Sequence, residues 1–440
     1  MPGIRDRGRA LGNDGRQGVA GPSVHAMNAI ASTLDAMRPL RRTPVPPGPP
    51  GLTALIGPVA AALDGSGPAV APVPTTSVTV SGDYVAGILR ALRPDDPDAP
   101  LESEEVAVVL ATSGSTGAPR GVLLTASALA ALTESVNGTG PAPQWIAALP
   151  LSSMGGFNVL LRGLAAGREP IAISSLGGAS PFTPLDFQRA VHAAAAHSSD
   201  IRVSLVAAQV RRLLSDEAGI EALSGCNQIL VGAGPLPASL QESAGTHGIR
   251  LTRTYGATET SGGCVYDGEP LPGVGIVTLP TGEVVISGPM LALGYRLDRV
   301  LTESRFAESG YRTGDLGSIE SGRLTLHGRI DDVVVVNGVN VALGAVEKVI
   351  DACPDVESGV ALALPLGEAE VEIVALVLAA GAGPGLREQI NAAVQGALGR
   401  PAVPRRVAVV PDFPLLPNRK IDRASLRALA TEPGSVTWLP

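Results

Sequence analysis

The sequence has 440 residues, of which 45% are hydrophobic but only 3% aromatic, so its core must be built mainly from Ala, Val and Leu. A formal net charge of -8 lacks the basic excess of a nucleic-acid-binding protein, and no apolar run is long enough to cross a bilayer. Three cysteines lie far apart, which excludes a disulfide framework and a clustered zinc site. We expect two or three domains, no nucleic-acid or membrane partner, and a cytoplasmic location.

The N-terminal 26 residues are polar, rich in glycine and arginine, and lack the apolar middle of a signal peptide. They predict a disordered tail, or translation upstream of a true start at Met27. The sequence then predicts a short amphipathic helix over 27–43, a proline-rich linker or extended segment over 42–51, and a strand, turn and helix over 75–92.

Strands and helices alternate regularly from about residue 105, which favours a doubly wound α/β body. Ser127 is a plausible cap for the first helix of this region. Beyond Pro270, short strands separated by glycine turns predict a small antiparallel sheet or barrel over 270–329. The remaining residues, 330–440, predict a compact α+β unit. We therefore expect an N-terminal domain over 27–329 and a C-terminal domain after it.

Glycine and hydroxyl residues follow a strongly apolar run in AVVLATSGSTGAPRGVLLT, residues 107–125. The pattern predicts a strand, a flexible loop and a second strand. Glycines let the backbone approach a ligand closely, and hydroxyl and backbone N–H groups donate hydrogen bonds to phosphates. The loop offers Thr112, Ser113, Gly114, Ser115, Thr116, Gly117 and the fixed charge of Arg120. Its spacing is not that of a Walker loop, and taken alone it is equally typical of a surface turn.

Three later motifs carry groups suited to nucleotide chemistry. YGATETSGG offers the Tyr255 ring for stacking, the Thr258 hydroxyl, and the Glu259 carboxylate as a ligand for a divalent metal. YRTGDLG places Asp315 where it can accept both hydroxyls of a ribose, and PLLPNRKIDR places Lys420 near the C-terminus. Each motif alone is more typical of a polar turn or a solvated lysine.

Together, these motifs resemble the adenylate-forming superfamily of acyl- and aryl-CoA ligases, adenylation domains and luciferases. The likeness runs from about residue 105 to the end and includes TSGSTGAPRG, GAGPLP, YGATET, YRTGDLG, GRIDD and PNRKIDR. It implies an α/β fold: a large N-terminal domain of doubly wound sheets, a small β-barrel-like subdomain and a small mobile α+β C-terminal domain. It also implies a small-molecule carboxylic acid as substrate, ATP and coenzyme A as co-substrates, and Mg²⁺ as cofactor.

The resemblance also implies roles for single residues. Lys420, Thr258 and Glu259 are the expected catalytic residues: Lys420 bridges the attacking carboxylate and the α-phosphate, Thr258 binds the α-phosphate, and Glu259 binds Mg²⁺. The loop of residues 112–117, with Arg120, is expected to hold the β- and γ-phosphates, and Asp315 the ribose. Asp331 is the expected hinge. The other nucleotide- or CoA-binding assignments are Gly232, Ala233, Gly234, Tyr255, Gly256, Arg329 and Gly338.

Within the superfamily, PLSSMGGFNVLLRGLAAG, SLVAAQVRRLL and TSGGCVYDGEPLPGV are most similar to the 2-succinylbenzoate–CoA ligases of menaquinone biosynthesis. That likeness implies that Arg162 binds the distal carboxylate of a dicarboxylate substrate through its two-pronged guanidinium. An arginine on an ordinary helix face is the alternative. Ser153 and Gly156, in the same segment, are assigned to the acid pocket.

Departures from the family pattern leave the identity of the acid open. Ser152, Ser153 and Met154 stand where His or aromatic residues are usual, Arg120 replaces the usual loop lysine, and Arg419 replaces the glycine before the catalytic lysine. The expected enzyme is an AMP-forming acid–thiol ligase. The alternatives are a ligase for another aryl acid, an adenylation enzyme that loads a carrier protein, and, remotely, a nucleotide-binding protein without catalysis. The sequence does not decide whether the chain forms a homodimer.

Overall fold

A computed structural model describes residues 38–113, 119–336, 338–366, 370–379, 385–417 and 420–440. The tail predicted over residues 1–26 lies outside this range, as do residues 114–117 of the glycine-rich loop and the side chain of Ser113. Within it, no helix is both long and apolar enough to span a bilayer.

The first sheet has five strands, and its first three run parallel. Its order is Leu40–Val45, Ala69–Pro74, Val106–Ser113, Pro119–Thr125 and Gly294–Tyr295. The helix predicted over 27–43 is therefore wrong for residues 40–43, and residues 27–37 lie outside the described chain. Tertiary pairing decides this segment, because Leu40 and Val45 bury their side chains while the strand pairs in register with Ala69–Pro74.

The proline-rich segment, predicted as a linker or an extended segment, is extended up to Val45, where the strand ends, but begins the helix Pro49–Leu63 at its other end. Proline suits the first turn of a helix, since the N–H group that it lacks would have no partner there. The predicted helix near residue 82 is present as Gly82–Leu92. Residues 75–80 are not the predicted strand, because only an isolated bridge joins Ser77 to Val80.

The second sheet has seven strands, five of them parallel. Its order is Glu269–Pro270, Gly262–Tyr266, Leu251–Ala257, Gln228–Val231, Ile201–Leu205, Gln144–Ala147 and Ile171–Ala172. The helices between these strands are Ala126–Asn137, Met154–Ala165, Pro184–Ala195, Ala207–Leu214, Glu217–Ser224 and Ala238–Thr246. Thr125, and not Ser127, caps the first of them, because its hydroxyl accepts the Ala128 N–H at 3.0 Å.

A smaller antiparallel sheet follows, in the region where the glycine-separated strands predicted one. Its order is Gly275–Thr278, Glu283–Ser287, Gly310–Glu320 and Phe306–Ala307, with Arg323–Arg329 also paired to Gly310–Glu320, and the helix Arg299–Arg305 lies beside it. The long strand Gly310–Glu320 connects this sheet to the rest of the molecule through Asp315.

The C-terminal part combines a hairpin, a three-stranded sheet and three helices. The hairpin is Val333–Val336 with Val339–Ala342; the sheet is Val356–Leu366, Glu370–Ala379 and Arg406–Val409; the helices are Leu343–Asp351, Leu386–Leu398 and Arg423–Thr431. Alternate residues of the sheet enter two separate cores, one with Ile350 and Ile390 and one with Phe413 and Leu426. Sheet and helices therefore pack as one layered unit, and its domain boundary near residue 330 stays a prediction.

Two carboxylates lie one turn apart on the helix Leu343–Asp351. Glu347 is paired with Arg423, at 2.7 and 2.8 Å, and also accepts the Ala361 N–H. Among the described residues, Asp351 accepts one hydrogen bond, from the Gly359 N–H to its Oδ1 at 2.7 Å. Burial raises the pKa of Asp351 to about 7, and the neighbouring charge of Glu347 acts in the same direction. The folded state therefore disfavours ionisation of Asp351.

We expect Asp351→Asn to raise the free energy of unfolding at pH 8, on the order of 1–4 kcal/mol, and to have little effect near pH 4. The folded pKa lies above the ordinary value of 3.8, so the stabilisation is complete below pH 4 and is lost as the pH rises towards 7. Asparagine keeps the acceptor for the Gly359 N–H. Urea unfolding at several pH values measures the effect, with the exposed Asp355→Asn as control. An equal gain at pH 4 and pH 8 would contradict the prediction.

Candidate active site

A cavity lies at the carboxyl ends of the parallel strands of the second sheet, where ligands of open α/β sheets usually bind. The first sheet supplies one wall, and the segment that contains Pro417 and Lys420 closes another. We call it the central cavity. Eight of the residues predicted from the sequence line it: Thr112, Ser153, Arg162, Gly232, Ala233, Gly256, Thr258 and Lys420.

Other predicted residues lie outside that lining. Arg120 pairs with Thr112 across the first sheet, which places it beside the glycine-rich loop. Gly234 and Gly338 are exposed, and Asp331 is exposed in the short turn Ile330–Asp332. Their predicted roles would require a ligand that extends beyond the central cavity, or a movement of the C-terminal part.

Thr258 and Glu259 lie on a single 3-10 turn that follows the strand Leu251–Ala257. Glu259 is buried, and its Oε1 accepts the Tyr295 hydroxyl at 2.8 Å. The described residues contain no group of three or more His, Cys, Asp or Glu that could hold a metal ion by themselves. Mg²⁺ commonly takes one or two carboxylates and completes its shell with phosphate oxygens and water, so Glu259 fits a phosphate-bound ion.

Asn158 anchors this turn and was missed from the sequence. It is buried on the helix Met154–Ala165, and its Nδ2 donates to the Ser261 carbonyl at 2.9 Å. Ser261 adopts a left-handed backbone (φ 52°) and donates its hydroxyl to the Met290 carbonyl. The spacing to Arg162, four residues on, puts both side chains on one helix face and was the available signal.

Arg162 is only 4% exposed and has no carboxylate within 4 Å in the described part of the chain. Its Nη2 donates to the Tyr266 hydroxyl at 3.2 Å, and its guanidinium carbon lies 5.1 Å from the centre of the Trp145 ring. Asn137 supports both neighbours, since it donates to the Arg162 carbonyl and accepts the Trp145 indole N–H. A buried cation held in this way is prepared for an anionic ligand.

Asp315 joins three separate elements. Its Oδ2 accepts the Tyr255 hydroxyl at 2.7 Å, and its Oδ1 accepts Arg329 Nη1 at 2.8 Å. Burial raises the pKa of Asp315, and the charge of Arg329 opposes that shift. Burial, followed by the charge of Asp315, also raises the pKa of Tyr255, so its phenol stays a donor. Each carboxylate oxygen retains a second lone pair for a ligand hydroxyl.

Lys420 reaches the central cavity from a closed loop of the C-terminal part. The Leu416 N–H donates to the Lys420 carbonyl at 2.8 Å, and Leu415 pairs with Ile421. The side chain is exposed to solvent, yet surrounding protein displaces part of its water and lowers the pKa of the amine. The charge of Glu259 opposes this shift. The Lys420 amine thus lies within the electrostatic influence of the Glu259 and Asp315 carboxylates.

Gly156 lies outside the lining of the central cavity and Ser153 lies within it, and the assignment of both to the acid pocket stays a prediction. A Cβ on Gly156 would collide with the carbonyl oxygens of Leu149 and Pro150, so glycine is needed there for close packing. Ser153 does line the central cavity, but its hydroxyl donates to the Pro150 carbonyl at 2.7 Å. Both residues shape the start of the helix Met154–Ala165.

The sequence matches the family model described as "AMP-binding enzyme" over residues 58–296. A probable 2-succinylbenzoate–CoA ligase of Mycobacterium tuberculosis is 36% identical over 396 residues, which cover 88% of this chain and 97% of the relative. A 2-succinylbenzoate–CoA ligase of Bacillus cereus is 28% identical over 356 residues, 75% of this chain and 71% of the relative.

Two solved structures show the same fold. An amide bond synthetase from Marinactinospora thermotolerans superposes with a TM-score of 0.69 at 24% identity, over 92% of each chain. The o-succinylbenzoate coenzyme A synthetase from Bacillus subtilis in complex with AMP superposes with a TM-score of 0.68 at 19% identity, over 91% of this chain and 90% of that one. The fold class predicted from the sequence is confirmed.

We expect Gly156→Ala to lower the free energy of unfolding by about 1–3 kcal/mol, because the new methyl group has no space against the Leu149 and Pro150 carbonyls. Gly155→Ala is the matched control, since its methyl group would meet only the mobile end of Leu149, at 3.1 Å. Urea unfolding of the two variants gives the comparison. Equal stability of the two variants would show that Gly156 is not needed for packing.

Proposed function

Because the chain belongs to the family of AMP-binding enzymes, we propose that it is an AMP-forming ligase that joins 2-succinylbenzoate to coenzyme A. The carboxylate attacks the α-phosphorus of ATP, which forms acyl-AMP and releases pyrophosphate. The thiol of coenzyme A then loses its proton, attacks the acyl carbon and releases AMP. The two relatives compared above, at 36% and 28% identity, carry the name of this activity.

Arg162 is the observation that carries the choice of acid. A buried guanidinium without a protein carboxylate is unfavourable unless a ligand supplies the negative charge. 2-Succinylbenzoate has two carboxylates, so one can react with ATP while the other pairs with Arg162. The adjacent Trp145 ring and the hydroxyl of Tyr266 complete a pocket that is aromatic on one side and polar on the other.

The first half of the reaction needs charge neutralisation and alignment rather than a nucleophile from the protein. Lys420 would hold the attacking carboxylate and the α-phosphate together, and Thr258 would donate its hydroxyl to the same phosphate. Thr112, the loop of residues 113–117 and Arg120 would hold the β- and γ-phosphates. Glu259 would carry Mg²⁺, which neutralises phosphate charge when it is bound.

The adenosine part would lie along the carboxyl ends of the second sheet. Gly232, Ala233 and Gly234 follow the strand Gln228–Val231, and Ala233 adopts a left-handed backbone (φ 67°) that exposes this loop. The base would lie against this loop and the Tyr255–Gly256 backbone. Asp315 would accept the ribose hydroxyls while Arg329 and the Tyr255 hydroxyl hold the carboxylate in place.

The second half would require the C-terminal part to turn about Asp331, which withdraws Lys420 and brings Gly338 towards the incoming thiol. Arg329 lies 3.6 Å from Asp331 as well as 2.8 Å from Asp315, so it connects the proposed hinge to the ribose site. A homodimer and a cytoplasmic location stay predictions, for light scattering and cell fractionation to test.

We expect Arg162→Ala to lower kcat/KM for 2-succinylbenzoate by about 10- to 100-fold, because the second carboxylate loses a charged partner. Activity towards benzoate, salicylate or anthranilate should change far less. Arg168→Ala is the matched control: Arg168 lies just beyond the same helix and donates to the His197 carbonyl. The assay is ATP-dependent acyl-CoA formation. Preference of the wild type for a monocarboxylic aryl acid, unaffected by Arg162→Ala, would overturn the choice of acid.

We expect Lys420→Ala to slow acyl-AMP formation by about 100-fold or more, while coenzyme A acylation from added acyl-AMP changes little. The reason is that Lys420 would act on the α-phosphate and leave before the thiol attacks. Lys348→Ala, which alters the exposed and only other lysine of the chain, is the control. Pyrophosphate release and thioester formation are measured separately. Equal loss in both halves would contradict the proposed division.

A further inference from the structure

A second cavity adjoins the central cavity along the same face of the seven-stranded sheet. Three neighbouring strands line both cavities, and each carries a pair of residues two positions apart with one member on each cavity. The pairs are Ser204 and Arg202, Leu230 and Gln228, and Thr254 and Thr252, with the first of each pair on the central cavity. Residues two apart on a strand project from one face and lie about 7 Å from each other. The two cavities are therefore adjacent on one face of the sheet.

Tyr266 separates the two. Among the described residues, it is the one that borders both cavities. It lies on the strand Gly262–Tyr266 opposite Thr254, and its hydroxyl accepts Arg162 Nη2 at 3.2 Å. The end of the central cavity that holds Arg162 is thus closed by one aromatic side chain, with open space behind it.

We propose that Tyr266 is a specificity-determining residue: its ring is the wall that limits the length of the acid, and the second cavity is a blocked extension of the acid site. This rests on the proposed function in one respect, that the acid occupies the central cavity next to Arg162. A succinyl chain ends at Arg162, in front of the wall. An acid with two or more additional methylene groups would have to pass through the Tyr266 ring.

The second cavity is lined by three arginines and by three carboxylates, of which Asp267 accepts the Arg253 backbone N–H, so a carboxylate would need a specific arginine there. Two of its arginines are already paired, Arg202 with Asp200 and Arg323 with Glu269. Arg250 is exposed there and has no carboxylate within 4 Å among the described residues. Arg250 is therefore the cation that a longer acid would reach.

The test uses full-length protein and benzoates with an ortho ω-carboxyacyl chain of four to eight carbons. Pyrophosphate release gives kcat/KM for each acid with wild type, Tyr266→Ala, Tyr266→Leu and Tyr266→Phe. We expect the wild type to prefer the four-carbon chain, and Tyr266→Ala to move the optimum to six or more carbons with at least a tenfold gain for those acids. Tyr266→Leu should give a smaller shift, and Tyr266→Phe should keep the wild-type length profile because its ring still fills the gap.

Adding Arg250→Ala to Tyr266→Ala identifies the partner of the longer acid. We expect this second change to remove most of the gain for carboxylate-ended chains but not for methyl-ended chains of equal length. The same length profile in wild type, Tyr266→Ala and Tyr266→Leu, in variants that unfold cooperatively and bind ATP, would overturn the proposal. A gain that is independent of Arg250 would confirm the wall but overturn the role of the second cavity as a carboxylate site.

A failure of the proposed function can be distinguished from a failure of the proposal about Tyr266. If the wild type activates only monocarboxylic aryl acids, the dicarboxylate assignment is wrong. The wall is then tested with benzoates that bear ortho alkyl chains of the same lengths. A longer optimum in Tyr266→Ala supports it there too, and an unchanged optimum overturns it.

Discussion

The carboxylate of Asp315 connects the second sheet to the small antiparallel sheet and, through Arg329, to the turn that contains Asp331. Tyr255 approaches it from the second sheet and Arg329 from the end of the small sheet, each with a hydrogen bond of 2.7–2.8 Å. Arg329 also lies within 3.6 Å of Asp331. The same charge cluster acts on Lys420. Burial lowers the pKa of Lys420, the charge of Arg329 acts in the same direction, and the charge of Asp315 opposes it.

The helix Met154–Ala165 provides the second constraint. One face carries Asn158, which fixes the turn that contains Thr258 and Glu259, and Arg162, which lies at the far end of the central cavity. A single helix thereby fixes the distance between the turn that contains Thr258 and Glu259 and the guanidinium of Arg162, the two places proposed for the reacting phosphate and the distal carboxylate. Gly156 lets this helix pack directly on the Leu149–Pro150 backbone, and this close packing holds the start of the helix in place.

The motif residues were predictable because short stretches of sequence around them are enough to indicate their chemistry. Thr112, Thr258, Arg162 and Lys420 were all expected from the sequence, and the structure brings them to one cavity. Asn158 and Tyr266 were not, since their importance comes from partners about a hundred residues away, Ser261 and Arg162. The packing of Gly156 against the Leu149 and Pro150 carbonyls was not foreseen for the same reason, because a glycine needed against a backbone cannot be told, in sequence, from one needed against a ligand.

The prediction of secondary structure was wrong mainly in residues 40–51, where a helix was expected up to residue 43 and a proline-rich linker or extended segment after it. The strand Leu40–Val45 forms there because its parallel partner Ala69–Pro74 supplies hydrogen bonds that no local pattern reveals. The helix that follows begins at a proline, which is a favourable first residue and not only a breaker. The helix predicted within 75–92 is present as Gly82–Leu92, because the spacing of its apolar residues matches the face that is buried.

The chain contains 33 basic residues but only two lysines, Lys348 and Lys420, since arginine supplies the rest of its positive charge. A reagent that acylates primary amines therefore meets two side chains and the N-terminal amine. Lys348 faces solvent on a helix, whereas Lys420 lies at the wall of the central cavity with a lowered pKa, which increases its share of reactive free amine. Covalent labelling of the unmutated protein, with the two lysines resolved by peptide mapping, would thus report the access of solvent reagents to the central cavity through Lys420, with Lys348 as an internal reference.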